Sequence, residues 1–379
     1  MSLKDVFNNL FSYKPEIEYN FSISDNSVKN TDKENEKPKK IFPSIKVNKE
    51  YMQAKYNTLI NSDIVLRSFI INIRGKQYES FILYIDGMVD SKIMNDFIIK
   101  PLMLKSKSNL YEGPQNKVVS QAITNNITVR KVKKFNLANY LMNSLIPQNS
   151  VKQVSTFEEA ISGINSGNCA LFVDTINIAF DIELKGFKQR SVDKPNNEII
   201  IKGPHEAFVE NIRTNTSLIR RIINNENLII ENIDVGKITK TKCAVCYMEN
   251  ITNEDLVNEV KYRLNNLEID SLLSAGELEQ LIVDSNILGI PEVLSTERPD
   301  KACKYLLSGR VLVIVNGTPY AIIMPAVIGD FLTSSEDSNL KVNFGNFLRV
   351  LRVLASFITL LLPRALCCNN KFSPRDTSN

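Results

Sequence analysis

Residues 160–182 read AISGINSGNCALFVDTINIAFDI, and residues 301–324 read KACKYLLSGRVLVIVNGTPYAIIM. Both stretches hold the same parts in the same order. Each begins with helix-forming residues that end at a glycine, Gly167 or Gly309, and continues into two short apolar runs about a polar turn. Glycine closes a helix because it reaches the left-handed conformation without a Cβ clash. In the second stretch the turn is Asn316-Gly317, which supplies the positive φ that a tight hairpin requires; in the first it is Asp174-Thr175. A unit used twice predicts two tandem, related α/β subdomains (α+β in the broad sense) with mixed sheets, over residues 47–195 and 196–342.

The flanking sequence extends both units. In the first, Ser68–Ile73 and Glu79–Ile85 read as strands joined at Arg74-Gly75-Lys76, and Ser91–Leu104 carries the 3–4 spacing of an amphipathic helix through Ile93, Met94, Phe97 and Ile98. Thr156 with Glu159 forms a capping box at the start of a helix. In the second, Lys242–Met248 is a strand, and Thr252 with Asp255 starts a helix faced by Leu256, Val257, Val260 and Leu264. Ser274 and Glu277 open another, with Leu278, Leu281 and Ile282 inward, and Pro299–Ser308 forms a third. The join is expected near Lys194-Pro195-Asn196-Asn197, a turn-rich polar stretch. Residues 1–46 are polar and low in complexity, so a disordered arm is expected there.

The chain has 379 residues, of which 43% are apolar and 23% charged. That length exceeds the usual ~100–200 residues per domain, in keeping with two globular pieces. Six basic residues after position 340 (Lys341, Arg349, Arg352, Arg364, Lys371, Arg375) face Asp376 alone, so the remaining 340 residues sum to −1 of a net +4. A near-neutral body does not read as a nucleic-acid binder. Met1 to Leu10 lacks the apolar core of a signal peptide. The six cysteines are therefore expected to be free thiols in a reducing compartment. Cys243-Ala-Val-Cys246 has the spacing of a metal or redox pair, but in a strand positions three apart point to opposite faces.

No reactive set emerges. His205 is the single histidine and has no triad or ligand companions, so it reads as a surface residue, and zinc sites built on several histidines are excluded. There is no GxxxxGK[ST] and no GxSxG. The expectation is no enzyme, no cofactor and no metal. The most distinctive passage is 199–225, a strand and then Gly203-Pro204-His205-Glu206-Ala207-Phe208-Val209-Glu210. Pro204 suits the first helical position, Glu206 and Glu210 complement the helix dipole, and Arg220 and Arg221 fall in the last turn. Phe208, Ile212, Ile219, Ile222 and Ile223 would line one face, leaving Arg213, Asn215 and Thr216 free. Ser295-Thr296-Glu297-Arg298-Pro299-Asp300 gathers hydroxyls, a carboxylate and a guanidinium, with Ser295 or Thr296 as an N-cap.

Near the C-terminus, Arg349 and Arg352 precede ten uncharged residues, Val353–Leu362, before Pro363-Arg364. A spanning helix needs about 20 apolar residues. Residues 343–366 read either as an incomplete first transmembrane helix or as a soluble amphipathic helix, with a polar tail at 367–379.

The second half resembles the A subunit of the GerA family of spore germinant receptors. The resemblance rests on Gly203–Glu210, Asn211-Ile212-Arg213-Thr214-Asn215-Thr216, Leu218-Ile219-Arg220-Arg221, Ser295–Asp300 including Pro299, Gly309-Arg310 and Asn316-Gly317-Thr318-Pro319. Leu348–Arg352 leading into Leu360-Leu361-Leu362-Pro363 is similar to the family's entry into its first membrane helix. The match runs from about residue 60 to Pro363, beyond which the tail looks unrelated. His205 departs from the Arg or Lys usual in the family. The resemblance implies a non-enzymatic receptor subunit in the spore inner membrane, its soluble domain facing the cytoplasm or spore core and serving assembly and signal coupling. It implies B and C subunits as partners and self-association through the A subunit. On this reading exposed Arg213, Asn215, Glu297 and Arg298 hold subdomains or partner chains together. The alternatives are a small-molecule module with its ligand between the two units, or a non-functional truncated copy.

Overall fold

The computed structural model describes residues 39–73, 75–105, 136–186, 198, 203–284, 291–332 and 342–371. Residues 1–38 of the expected arm and the join at Lys194–Asn197 lie outside the described residues. The last part of the arm is packed: Ile41 and Ile45 are buried in the core. Apolar side chains there gain more from burial than the short polar run around them loses in ordering.

The first half holds α1 (Ile45–Lys55), β1 (Ile64–Ile73), β2 (Lys76–Ile85), α2 (Ser91–Met94), α3 (Leu137–Tyr140), β3 (Val151–Val154), α4 (Phe157–Asn165), β4 (Asn168–Val173) and β5 (Ala179–Glu183). The second holds α5 (Ile212–Ile222), β6 (Leu228–Val235), β7 (Thr241–Met248), α6 (Glu254–Asn265), α7 (Ala275–Ile282), β8 (Leu294–Thr296), α8 (Pro299–Leu307), β9 (Val311–Val315) and β10 (Ala321–Met324). A short helix, α9 (Ile328–Phe331), and the long α10 (Val342–Lys371) follow. The sheets run β1-β2-β4-β5-β3 and β6-β7-β9-β10-β8, the same order in each half. The repeated helix and hairpin are thus α4-β4-β5 and α8-β9-β10.

Every pairing of neighbouring strands is antiparallel, where mixed sheets were expected. The chain lays β3 and β8 at one edge of each sheet before α4 and α8 return it to the centre. Among the described strands none therefore reaches its neighbour through a same-sense crossover.

Helices cover both faces of each sheet. In the second half Cys243 and Val245 face α6 and α7 through Val257 and Leu278, whereas Ala244 and Cys246 face α5 and α8 through Ile219 and Leu306. The CxxC pair is split between two cores, as alternation along a strand requires. In the first half Phe172 stacks on Phe81 at 4.7 Å beneath α1 and α4.

Local signals acted largely as their chemistry dictates. Thr156 Oγ1 accepts from Glu159 N and Ser274 Oγ from Glu277 N, capping α4 and α7. Gly309 sits at φ +87°, and a Cβ there would lie 3.1 Å from the Ile251 carbonyl. Three details differ. The cap of α6 is Asn253, bonded to Asp255 N at 2.9 Å, while Thr252 Oγ1 accepts from Met248 N instead. After Met94 the chain continues in π-helical turns, Asn95–Ile99 and Pro101–Lys105, which alter the facing and leave Phe97 exposed. Leu281 is also exposed, because α7 rests on the sheet through Ala275, Leu278 and Ile282.

Burial pushes the Cys243 and Cys303 thiols up to about 12, and those of Cys169 and Cys246 higher still. A thiol reagent at neutral pH is expected to leave these four untouched in the folded chain and to modify all of them in denaturant. Peptide mapping by mass spectrometry reads this, and native labelling of Cys243 or Cys246 would contradict the strand placement.

Candidate functional site

The passage that singles out this sequence, 203–221, is not one helix. Asn211, not Gly203, is the N-cap: its Oδ1 accepts from Arg213 N and Thr214 N at 3.0 and 3.1 Å, and α5 starts at Ile212. Gly203–Glu210 precedes the helix as irregular chain, so Pro204 does not occupy a first helical turn. Glu206 pairs with Arg221 rather than with the dipole. His205 is exposed, as expected. Phe208 is buried against Leu218 and Ile219, while Ile222 is exposed.

The shift of the helix start changes what the motif does. Asn215 is fully buried and mimics a strand partner for Val209, accepting from its N–H at 2.8 Å and donating to its carbonyl at 2.5 Å. Thr216 is also buried, its hydroxyl spent on the Arg213 carbonyl. Neither is free to bind a partner. Phe208 N donates to Glu297 O, Gly317 N to Glu210 O, and Ile212 N to Asn316 Oδ1. The 203–217 passage, the 295–300 loop and the hairpin turn are therefore one knot.

Glu297 and Arg298, expected at the surface, are buried in that knot. Arg298 holds Asp300 through two bonds of 3.1 and 2.6 Å. Glu198 gathers Thr296 Oγ1 at 2.5 Å, Glu297 N at 3.2 Å and Lys301 Nζ at 2.6 Å. Ser295 bonds Glu279 at 2.7 Å, and Arg298 itself, not Ser295 or Thr296, precedes Pro299 as the N-cap of α8. A loop dense in polar groups folds inward because its members satisfy one another.

Arg220 points the other way, into the seam between the two halves. Its Nε and Nη2 take both oxygens of Asp63 at 2.8 and 2.9 Å, and Nη2 also reaches Asn61 Oδ1 at 2.9 Å. Each side chain is 1% exposed. Asn61 continues across the seam, accepting from Ile230 N and donating toward Tyr56 O and Leu228 O. Ser62 N donates to Ile230 O, and Ser62 Oγ accepts from Asn232 N. Residues 61–62 thereby cover the outer edge of β6.

A half-exposed rim surrounds this clamp. Arg213 meets Asp86 at 2.9 Å, packed so tightly on Gly87 (φ +87°) that a Cβ there would lie 3.1 Å from its Cδ. Lys55 meets Glu226 at 3.1 Å, and Asn57 bonds Glu249 at 2.6 Å. Burial works upward on the Glu226 carboxyl, but its backbone bond, Lys55 and Asn165 hold it below the usual range. The seam roles of Asn61, Asp63, Asp86 and Gly87 were not anticipated from sequence. The available signal was Asp63, a carboxylate at the mouth of an apolar strand.

The helix α10 is apolar on its outer face. Its window Phe344–Pro363 has mean hydropathy 1.6 and is 6% buried, so it is no core helix. It does not stop at Pro363, and by length and composition it suffices to cross a membrane. The hydroxyls of Ser356 and Thr359 are returned to the carbonyls of Arg352 and Ala355. Arg349 is exposed, and Arg352 Nη1 donates to Leu332 O at 2.8 Å. A 330 Å³ cavity is lined by Asp234, Gly236, Lys237, Asn265 and Glu268, all in the second half and none from the seam. Among the described residues no cluster could hold a metal ion.

Comparison with known proteins agrees with these features. The family model of the Bacillus/Clostridium GerA spore germination protein matches residues 50–375, continuing past Pro363 into the tail. Spore germination protein KA of Bacillus subtilis is 32% identical over 330 residues, covering 87% of this chain and 56% of that protein. Spore germination protein B1 of the same organism is 32% identical, covering 80% and 57%. This chain thus spans little more than half the length of these relatives. The solved N-terminal domain of the A subunit of the Bacillus megaterium spore germinant receptor GerK3 superposes with a TM-score of 0.53 at 28% identity, covering 77% of this chain and 99% of that one. With the repeated sheets, the motif knot and the apolar helix on the same chain, this protein belongs to the GerA family of spore germination proteins.

Proposed function

We propose that this chain acts as the A subunit of a spore germinant receptor, a non-enzymatic element whose soluble body couples assembly and signal. The observation that carries this reading is the seam: two like-folded halves joined by a buried Arg220–Asp63 clamp inside a half-exposed rim of ion pairs. Such a joint holds one relative placement of two rigid bodies firmly while leaving its rim open to partners. The halves are, on this reading, the units 47–195 and 196–342, and buried Ile41 packs with the first. In this reading α10 enters the spore inner membrane, the body lies on the cytoplasmic side, and B and C subunits and further A copies are the partners. The family resemblance of A-subunit relatives supports it, as does the basic character of Arg349 and Arg352 beside the apolar run.

Loss of the gene is expected to slow nutrient-triggered loss of spore refractility, and unchanged germination under every nutrient tried would count against the reading. The rim gives a sharper test. An exposed pair such as Arg213–Asp86 contributes under about 1 kcal/mol, so Arg213→Ala leaves the unfolding midpoint nearly unmoved. Spores carrying that variant are expected to germinate more slowly or to hold less B and C protein in their membranes. Wild-type rates together with wild-type levels of both partners would refute a coupling role for the seam.

The clamp itself behaves differently. Arg220→Met or Asp63→Leu alone strands a buried charge and costs about 3–5 kcal/mol. The double variant recovers most of that loss, because it removes both charges and keeps the volume. Denaturant unfolding of the four proteins in detergent reads the cycle, and additive losses would disprove the pairing.

A further inference from the structure

The short helix α9 stands between the second sheet and α10, and its side chains are turned the wrong way for a soluble loop. Val327, Ile328 and Phe331 are 51%, 67% and 43% exposed. They are nevertheless rigidly mounted. Asp330 accepts from Val327 N at 2.9 Å and takes two bonds from Arg310, at 2.5 and 3.2 Å. The Arg310 guanidinium lies 4.5 Å from the centre of the Tyr305 ring, and Ala326 N is bonded to Glu292 O. Although burial works upward, Arg310 and the Val327 N–H hold the Asp330 carboxyl below its ordinary range, so its charge stays paired.

A bond from α10 helps set the height of this platform. Leu332, the C-cap of α9, receives Arg352 Nη1 at 2.8 Å. Arg352 is the last charged residue before the apolar run Val353–Leu362. If that run lies in hydrocarbon, Arg352 lies at the headgroup level, and so does the end of α9. A fixed set of apolar side chains at that level, with exposed Arg349 nearby for lipid phosphate, matches an interfacial anchor in composition and depth.

We propose that α9 is a membrane-interface foot: Val327, Ile328 and Phe331 insert into the headgroup–acyl boundary of the bilayer that α10 enters, fixing the second sheet against the lipid surface. This deepens the receptor-subunit reading and rests on its membrane entry. The occupant is lipid, because the Arg352–Leu332 bond ties the patch to the point where the apolar helix begins.

The chain contains no tryptophan, so a single introduced indole reports alone. The full chain carrying Phe331→Trp, Leu354→Trp or Ile238→Trp would be reconstituted into phosphatidylcholine–phosphatidylglycerol vesicles with plain or brominated acyl chains. Leu354 lies within the apolar run, and Ile238 is 77% exposed on the β6–β7 turn. Phe331→Trp is expected to show blue-shifted emission and to lose about half of it to bromine placed roughly 5–10 Å below the headgroups. Leu354→Trp, only about 3 Å further along the helix than Arg352, should be quenched by bromines at a similar depth and Ile238→Trp by none. Quenching of Leu354→Trp without quenching of Phe331→Trp overturns the foot while leaving membrane entry intact. A blue shift at Phe331→Trp that bromine does not touch also overturns it, since protein then covers the patch. Quenching at neither position removes the membrane entry and the foot together.

Discussion

Arg220 and Asp63 are almost wholly withdrawn from water, and each would be costly there alone. Their mutual geometry is what makes the burial tolerable: two charge-assisted bonds in a fork, with Asn61 taking a third. The pair fixes more than a contact. Asp63 is the residue before β1, and its carbonyl accepts from Asp86 N just after β2, so the clamp grips the base of the first hairpin. Arg220 leaves the last turn of α5, the helix that leads into β6. Each end of the clamp is therefore rooted in an edge hairpin of its own sheet.

The same few residues also settle the edge of the second sheet. An unpaired strand edge is an invitation to foreign strands. Asn61 and Ser62 bond to Ile230 and Asn232 and occupy the open side of β6. Separating the halves would thus expose two charges and a row of backbone groups at once. That cost favours one relative placement of the two halves.

Much of this was legible in the sequence, and the part that was not has a definite cause. The twin helix–hairpin units, the Gly167 and Gly309 stops and the division of Cys243 from Cys246 follow from local periodicity, which a single chain displays openly. The motif residues were located but misassigned. Pro204 and Glu206 form a plausible helix start, yet Asn211 offers a better cap and lets Asn215 pair with Val209, a tertiary gain no local rule contains. Arg298 looked like a surface group because, although Asp300 is two residues away, nothing in the sequence announces that the distant Glu198 would come to enclose it. Asp63 was missed for the same reason: its partner lies far along the chain.

The halves also differ in a way that bears on function. In the first, the helix preceding the edge hairpin, α1, presents Met52 and Tyr56 to its own core. In the second, the equivalent α5 spends Arg220 outward on the neighbour. The two halves present like platforms, and a charged residue on one of them ties it to the other. The second half leads into α9 and α10, so under the proposed role a displacement at the apolar helix would pass to the first half across the seam. A bidentate clamp resists rotation as well as separation, which is the property required of a coupling that must pass a small movement across without losing it in slack.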